Sequence, residues 1–266
     1  MREGKGQQKR VFLSFDIEEF DMPYEYGKEI SLEEQIRVSV EGCNRILYLL
    51  REHQIKATFF STVVFAKNAG DIIKRIIEEG HELASHGYYH SKFEVAHLRK
   101  SREVLEEVSG QKILGYRMAR MMPVSSMDIE EAGYLYNSSL NPVYLPGRYN
   151  NYFKQRRYFY SNRLLEIPAS ATPIIRIPLF WLSFHNLPPA LYKLLCRVTM
   201  YSDNYLNLYF HPWEFSNIKD PKYGLPMITT KRTGIEMVKA FGGWIVWAKS
   251  QNYSFAHLKT IVDKID

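Results

Sequence analysis

Short apolar runs alternate with amphipathic helical patterns along most of the chain, and this order limits the possible folds more than any other feature of the sequence. Each run has the length of a buried strand, and each is followed by a segment with helical periodicity. Strands and helices in strict alternation are typical of a parallel sheet with right-handed crossovers. The pattern predicts an α/β fold. Because no linker, repeat or low-complexity tract interrupts residues 1–266, it also predicts a single domain.

Five strands are predicted in the first half of the chain, with helices between them. A capping box formed by Ser31 and Glu34 begins the first helix, and Gly80 ends the second. The predicted strands are VFLSF, KATFFST, HELASH, KILGYRM and YLYNSSL. Near the C-terminus, YLNLYF is predicted as a strand, TGIEMVKAFGGWIVWAKSQ as a helix, and SFAHLKTIVDKI as a strand that passes into a terminal helix.

The alternation stops between about Arg148 and Arg197. This part is rich in aromatic residues and arginine, and four prolines between positions 173 and 189 forbid one continuous helix. Its aromatic side chains could stack on sugar rings. The apolar stretch around 180–195 could contact a lipid surface, which would suit a lipid-linked glycan.

Composition and charge exclude several classes of protein. The formal net charge is +6, but the lysines and arginines are scattered and no nucleic-acid module is present, so no nucleic-acid partner is expected. Cys43 and Cys196 are too few for a disulfide framework, and a buried thiol is expected at Cys43. Residues 1–10 are polar and are expected to be flexible. Because no signal-peptide core and no membrane-spanning run is seen, a cytoplasmic location is expected.

Polar and titratable side chains recur at the predicted carboxyl ends of the strands. The carboxyl ends of parallel strands meet at one face, where barrel-like α/β folds build their sites. On an extended strand end, Asp16 and Glu18 point to the same side and Ile17 to the other. In chain order the residues at these ends are Asp16, Glu18, His86, His90, Arg117, Asn137, Glu166 and His211.

His86 and His90 are four residues apart, and this spacing has two interpretations. On a helical turn the two side chains would share one exposed face. As neutral imidazoles they would direct two nitrogens toward one metal ion. Gly87 fits a tight bend between them. The spacing alone does not decide between a surface pair and a metal clamp.

Taken together, the motifs resemble those of the polysaccharide deacetylase family, in the branch whose first motif reads Asp-x-Glu. The resemblance extends over SFDIEEF, SHGYYH, GYRMA, GYLYNSSLNP, LLEIPAS and YFHPWEF. It implies a distorted (β/α) barrel with fewer than eight regular strands. It also implies a metal-dependent hydrolase that removes N-acetyl groups from a sugar in a polysaccharide, oligosaccharide or glycan precursor. The implied cofactor is one divalent ion, zinc by default, with cobalt, nickel, iron and manganese as alternatives.

The resemblance also implies roles for individual residues. Asp16 matches the catalytic base, and Arg117 matches the arginine that pairs with this base and keeps it ionised. The implied metal ligands are Glu18, His86 and His90. An exchange of roles, with Asp16 on the metal and Glu18 as the base, stays open.

The catalytic acid implied by the resemblance is His211, and one departure concerns it directly. Asn137 stands where relatives usually carry an aspartate that raises the basicity of this histidine. An amide cannot stabilise an imidazolium as a carboxylate does, so slow activity is expected unless Glu214 supplies the charge. Glu166 is expected to be a structural or groove residue, and Trp213 a neighbour of His211.

Two other functions stay open. Allantoinase-like relatives in the same superfamily hydrolyse a cyclic amide and can act without a metal, which the histidine pair and its acidic partner disfavour. A degenerate relative would bind a glycan without turnover, which Asn137 favours. Ala119 favours it too, because the family commonly has proline at this position. With Ala119 followed by Arg120, the resemblance does not define the shape of the groove.

Overall fold

The computed structural model describes residues 8–147 and 149–262. Most of the expected flexible N-terminus, residues 1–7, therefore lies outside the described residues, as does Arg148. Gln8 and Lys9 are exposed, whereas Arg10 already belongs to the first strand. The predicted flexible segment therefore overlaps that strand by one residue.

Strands and helices alternate through much of the described chain, as predicted. The strands are β1 Arg10–Ile17, β2 Thr58–Ser61, β3 Glu82–Ser85, β4 Gly115–Tyr116, β5 Tyr136–Asn137, β6 Tyr144–Leu145, β7 Tyr149–Asn150, β8 Phe159–Ser161, β9 Leu164–Glu166, β10 Tyr205–Phe210 and β11 Ser254–Ala256. The helices are α1 Leu32–Glu52, α2 Val63–Asn68, α3 Gly70–Glu78, α4 Ala96–Ser109, α5 Ser126–Glu131, α6 Trp181–Asn186, α7 Pro189–Asp203, α8 Met227–Thr230, α9 Ile235–Ser250 and α10 Lys259–Val262.

The main sheet curls round as an incomplete barrel. Seven parallel strands form a continuous row, in the order β10, β1, β2, β3, β4, β5, β9. Outside this row, β11 pairs with β1 in parallel, and β8 adds to β9 as an antiparallel neighbour. The two sides of this row approach each other. The backbone N–H of Ser170, beyond β9, donates to the carbonyl of Asn207 in β10 at 2.9 Å. Seven parallel strands fit the distorted barrel, with fewer than eight regular strands, that the resemblance implied.

Alternation along β1 directs its side chains into two different layers. Ser14 and Asp16 each accept a hydrogen bond from Arg117 inside the barrel. The other set packs outward with the buried faces of the helices, and its members are Val11, Leu13, Phe15 and Ile17. Asp16 and Ile17 therefore lie on opposite sides of the strand, as the alternation predicted.

The first helix presses against the turn that follows β10. The hydroxyl of Ser31 accepts a hydrogen bond from the backbone N–H of Glu34 at 3.2 Å, which confirms the predicted start of α1. Along this helix Gly42 lies so close to the backbone of Pro212 that a Cβ atom would collide with the Pro212 carbonyl. This close approach fixes the position of His211, which directly precedes Pro212.

The structure also bears on the predictions for the second half of the chain. Pro188 separates α6 from α7, so the expected break in this apolar stretch is confirmed. The hairpin of β8 and β9 was not predicted, because its strands are three residues each and lie in the irregular aromatic segment. Cys43 and Cys196 are both buried and unpaired. Among the described helices, none is both long and apolar enough to cross a membrane.

We expect Gly42→Ala to destabilise the protein by about 2 kcal/mol or more, because the new methyl group meets a backbone carbonyl that cannot rotate away. Gly243→Ala is the matched control, since a Cβ atom at this glycine of α9 meets nothing within 4 Å. This control should be neutral or stabilising by roughly 0.5–1 kcal/mol. Thermal unfolding followed by circular dichroism measures both, and equal midpoints for the two variants would contradict the close packing at Gly42.

Candidate metal and acid–base site

The ends of β1 and β3 bring Glu18, His86 and His90 together. Ligand atoms of all three buried residues lie within 4.8 Å of one another. The Oε2 atom of Glu18 is 3.0 Å from Nε2 of His86 and 3.1 Å from Nε2 of His90. Two ligands of a tetrahedral zinc ion, each about 2.0–2.1 Å from the metal, lie roughly 3.3 Å apart, close to these distances.

The donor atoms of this cluster fit a divalent metal ion. Oε2 of Glu18 is buried and has no hydrogen-bond partner among the described residues, although two imidazole nitrogens face it. A buried carboxylate oxygen without a partner is costly unless a cation compensates it. Two imidazoles and one carboxylate are a donor set that zinc accepts while keeping an open position. We refer to Glu18, His86 and His90 as the metal clamp.

The two histidines occupy an irregular segment after β3 and do not share a helical turn. His86 is buried, and Gly87 has φ +88°, a conformation that lets the chain turn between the two histidines. The interpretation of the pair as exposed neighbours on a helix is therefore wrong.

The second nitrogen of each imidazole is held by another part of the chain. Nδ1 of His86 lies 2.9 Å from the carbonyl oxygen of Arg117, and Nδ1 of His90 lies 2.7 Å from Oδ1 of Asp21. Both partners accept a hydrogen bond, so each Nδ1 carries the proton. Each Nε2 is then left with a lone pair that points toward Glu18.

Asp21 was not singled out in the sequence, and a third group holds it in place. The Nη2 atom of Arg120 lies 3.0 Å from Oδ2 of Asp21, and its Nη1 atom contacts Glu25. Arg120 and Met121 have φ values of 58° and 52°, in the left-handed region that non-glycine residues rarely adopt. The strained backbone after Ala119 thus places a guanidinium beside the partner of His90.

Arg117 is completely buried and is bonded to Asp16, the carboxylate that the resemblance implies as the base. Its Nη1 atom is 2.6 Å from Oδ1 of Asp16 and 2.9 Å from the hydroxyl of Ser14. Its Nε and Nη2 atoms donate to the carbonyl and hydroxyl of Ser138. Burial raises the pKa of Asp16, but the charges of Arg117, His86 and His211 together hold this pKa below its usual value. Asp16 is therefore ionised at neutral pH.

His211 lies on the other side of Asp16, with its Nε2 atom 3.9 Å from Oδ2 of Asp16. Its Nδ1 atom is 3.0 Å from Oε1 of Glu214, and Oε2 of Glu214 is 2.8 Å from Nε2 of His185. Burial lowers the pKa of His211, but the hydrogen bond to Glu214 and the nearby carboxylates raise it above its usual value overall. Trp213 stacks on the imidazole of His211 with the ring centroids 5.1 Å apart.

Asn137 and Glu166 are hydrogen-bonded to each other and not to His211. The Nδ2 atom of Asn137 donates to Oε2 of Glu166 at 2.8 Å, and Ser126 donates to Oε1 of Glu166. Neither Asn137 nor Glu166 is among the described residues that line the cleft. Of the two alternatives for His211, the structure therefore favours the one in which Glu214 supplies the charge, because Glu214 lies at Nδ1 of His211.

The metal clamp, Asp16 and His211 all face one open cleft. Aromatic and apolar side chains form most of its remaining wall, and Arg120 and Glu25 also line it. Part of this wall comes from the segment in which the strand and helix alternation stopped. The aromatic and apolar wall residues include Met22, Tyr26, Leu145, Phe180, Trp181, Leu182, Tyr209, Trp213 and Ile228. Such a wall suits the faces of a sugar ring.

Comparison with known proteins agrees with the resemblance read from the motifs. Residues 3–122 match the sequence model of the polysaccharide deacetylase family. A peptidoglycan-N-acetylmuramic acid deacetylase from Bacillus subtilis is 30% identical over 114 residues, which cover 42% of this chain and 36% of that protein. The matches to the first curated relatives span only a quarter to a third of those proteins.

Solved structures show the same fold over nearly the whole chain. A protein described as a probable polysaccharide deacetylase from Pseudomonas aeruginosa superposes with a TM-score of 0.68 at 16% identity, covering 96% of this chain and 90% of that one. An allantoinase gives a TM-score of 0.66 at 17% identity, covering 97% and 90%. A pseudoenzyme of the CE4 family from Bacillus anthracis gives 0.52 at 14%, covering 95% and 65%. At these identities the likeness establishes the fold alone.

We expect Asp21→Ala to weaken zinc binding about 10- to 100-fold, because partners that orient a ligating histidine contribute on this scale. Asp21→Asn should fall between this variant and the wild type, since its amide oxygen still accepts a hydrogen bond. The dissociation constant is measured by competition with a zinc-binding dye on protein without substrate. Asp71→Ala removes an exposed aspartate of α3 and serves as the control. Equal zinc affinity in Asp21→Ala and Asp71→Ala would show that Asp21 does not orient His90.

Proposed function

We propose that this protein is a metal-dependent hydrolase that removes N-acetyl groups from a sugar in a polysaccharide, oligosaccharide or glycan precursor. The match of residues 3–122 to the polysaccharide deacetylase family is the starting point. One observation carries the proposal: the metal clamp lies in the same cleft as an ionised carboxylate and a histidine with a raised pKa. Hydrolysis of an amide needs an activated water, a polarised carbonyl and a protonated leaving nitrogen, and these groups supply all three.

The base in this scheme is Asp16. A divalent ion in the metal clamp, zinc by default, would polarise the acetyl carbonyl and make water more acidic. Oδ1 of Asp16 is bonded to Arg117, which leaves Oδ2 to take a proton from the attacking water. Because Asp16 is held by Arg117, it stays off the metal, and Glu18 supplies the carboxylate ligand.

The acid in this scheme is His211. Its Nδ1–H group donates to Glu214, so in the protonated imidazolium the second proton lies on Nε2, and the departing amine nitrogen receives this proton. Glu214 raises the pKa of His211, which keeps the acid protonated near neutral pH. His185, bonded to the second oxygen of Glu214, holds this carboxylate in place.

The two other functions are less well supported by the site. A hydrolase that acts on a cyclic amide without a metal has no need of a buried carboxylate oxygen facing two imidazoles. A protein that only binds glycans has no need of a buried arginine on the base or of a buried glutamate on the acid. The buried partners of Asp16 and His211 therefore support turnover at this site.

Acetate release tests the proposal directly. The purified protein is incubated with N-acetylated oligosaccharides, peptidoglycan fragments and nucleotide sugars, each with zinc, cobalt, nickel, iron or manganese. Acetate released only from N-acetylated sugars, and lost with a chelator, is the expected result. Hydrolysis of allantoin, or no acetate from any substrate with any of the metals, would contradict the proposal.

We expect Asp16→Asn to reduce turnover by about 10² to 10⁴, the usual contribution of a general base, while zinc affinity stays close to that of the wild type. The asparagine retains the size of the side chain but does not accept the proton. Turnover is measured by acetate release and zinc content by elemental analysis. Loss of zinc together with activity would place Asp16 on the metal and exchange the roles of Asp16 and Glu18.

We expect Glu214→Gln to move the alkaline limb of the pH–rate profile to lower pH. The acid must be protonated, so the rate falls as the pH rises through the pKa of His211, and removal of the Glu214 charge lowers this pKa. Asn137→Asp should leave the limb in place, because Asn137 bonds to Glu166. Profiles at saturating metal compare the three proteins. An upward shift in Asn137→Asp would restore Asn137 as the residue that sets the acidity of His211.

A further inference from the structure

The outer face of α7 exposes a row of apolar side chains. Leu191, Leu194, Val198 and Tyr201 are 41%, 52%, 46% and 86% exposed. Their spacing of three or four residues puts them on one side of the helix. The opposite side packs into the core through Tyr192, Cys196, Thr199 and Met200. The helix is therefore anchored by one face and presents a second apolar face outward, which we call the α7 strip.

Basic residues accompany the α7 strip. Helices α7, α8 and α9 with the α8–α9 connection contain six lysines and arginines but two acidic residues, Asp203 and Glu236. These two acids pair with Arg156 and Lys219, which lie outside these elements. The cations Lys193 and Arg197 lie over the ring of Trp247, about 6 Å from its centroid. This region therefore carries much of the net positive charge of the chain.

A groove between α7 and α9 is lined on the α7 side by Pro189, Tyr192 and Lys193 and by none of the four residues of the α7 strip. Its floor is apolar and includes Tyr192 and Trp244, and the cations on its walls are Lys193, Arg232 and Lys239. No carboxylate is among the described residues that line it. An anionic group with an apolar attachment is the ligand chemistry that such a groove accepts.

We propose that the α7 strip and this groove dock the protein on an anionic lipid bilayer. The strip would enter the interfacial layer and the groove would bind a lipid phosphate. An apolar helix face flanked by lysine and arginine is the arrangement of helices that lie in a membrane interface. Each cation near an anionic surface adds to the attraction. A protein partner fits less well, because lysine is depleted at protein–protein interfaces.

Exposed apolar residues continue from α7 toward the cleft. Helices α6 and α8 contact each other, and α6 also contacts α7. Met227 and Ile228 of α8 are exposed, and Ile228 also lines the cleft. Docking through α7 would bring the α8 side of the cleft toward the bilayer, where a glycan on a lipid carrier is presented. This consequence for the substrate rests on the proposed function, whereas the docking itself does not.

Vesicle flotation with the whole protein tests the docking without any enzymatic readout. We expect binding to phosphatidylcholine vesicles that contain phosphatidylglycerol, weaker binding at high salt, and little binding to phosphatidylcholine alone. Leu194→Asp combined with Val198→Asp should lower the partition coefficient about tenfold or more, because two apolar side chains no longer enter the interface. Lys193→Gln combined with Lys239→Gln should lower it by roughly tenfold or more, at about 1 kcal/mol per charge.

The matched control is Tyr48→Asp combined with Val108→Asp, which changes exposed residues of α1 and α4. This control should bind vesicles like the wild type. Equal loss of binding in the α7 variant and the control, or no binding of the wild type to anionic vesicles, would overturn the proposal. A wild-type dimer in light scattering that the α7 variant converts to a monomer would also overturn it, because a second copy would then cover the strip.

Discussion

The buried guanidinium of Arg117 is the group on which the rest of the site depends. Its side chain bonds to Asp16 and Ser14 at one side and to Ser138 at the other, and its carbonyl oxygen holds Nδ1 of His86. Arg117 thus fixes both Asp16, the proposed base, and His86 of the metal clamp. A buried charge costs several kcal/mol and is tolerated only when it is paired and hydrogen-bonded, as Arg117 is through Asp16 and four side-chain hydrogen bonds. The same bonds that compensate this cost also set the geometry of the site.

The proposed catalytic base and the proposed catalytic acid come from different parts of the chain. The metal clamp and Asp16 come from strand ends within residues 3–122, the part that matches the family. The acid side comes from His211 with Glu214 and from His185 in the proline-rich segment. In the proposed mechanism, the long irregular segment therefore supports the acid as well as forming the cleft wall. Glu214 keeps a carboxylate next to the proposed acid, although Asn137 stands where the resemblance places an aspartate.

Much of the fold was predictable because its signals are local. Strand length, helical periodicity, the Ser31 cap and Gly80 are each read within a few residues. The convergence of Glu18, His86 and His90 was implied by the resemblance and fits the strand order, since the carboxyl ends of parallel strands meet at one edge of the sheet and β2 alone separates β1 from β3. The contact from Asp21 to His90 spans 69 positions and that from Arg120 to Asp21 spans 99. No periodic pattern marks such pairs, which depend on how loops cross above the sheet. The alternatives at His211 stayed open for another reason. The sequence does not show which carboxylate lies at this histidine, whereas in the structure Glu214, three residues from His211, lies at its Nδ1 atom.

Anomalous diffraction from crystals grown with zinc, collected at the zinc absorption edge, tests the central claim most directly. The account predicts one strong peak about 2.0–2.2 Å from Glu18 Oε2 and from Nε2 of both His86 and His90, with Asp16 still bonded to Arg117. A peak coordinated by Asp16 in place of Glu18, or no peak between the two histidines at saturating zinc, would contradict it.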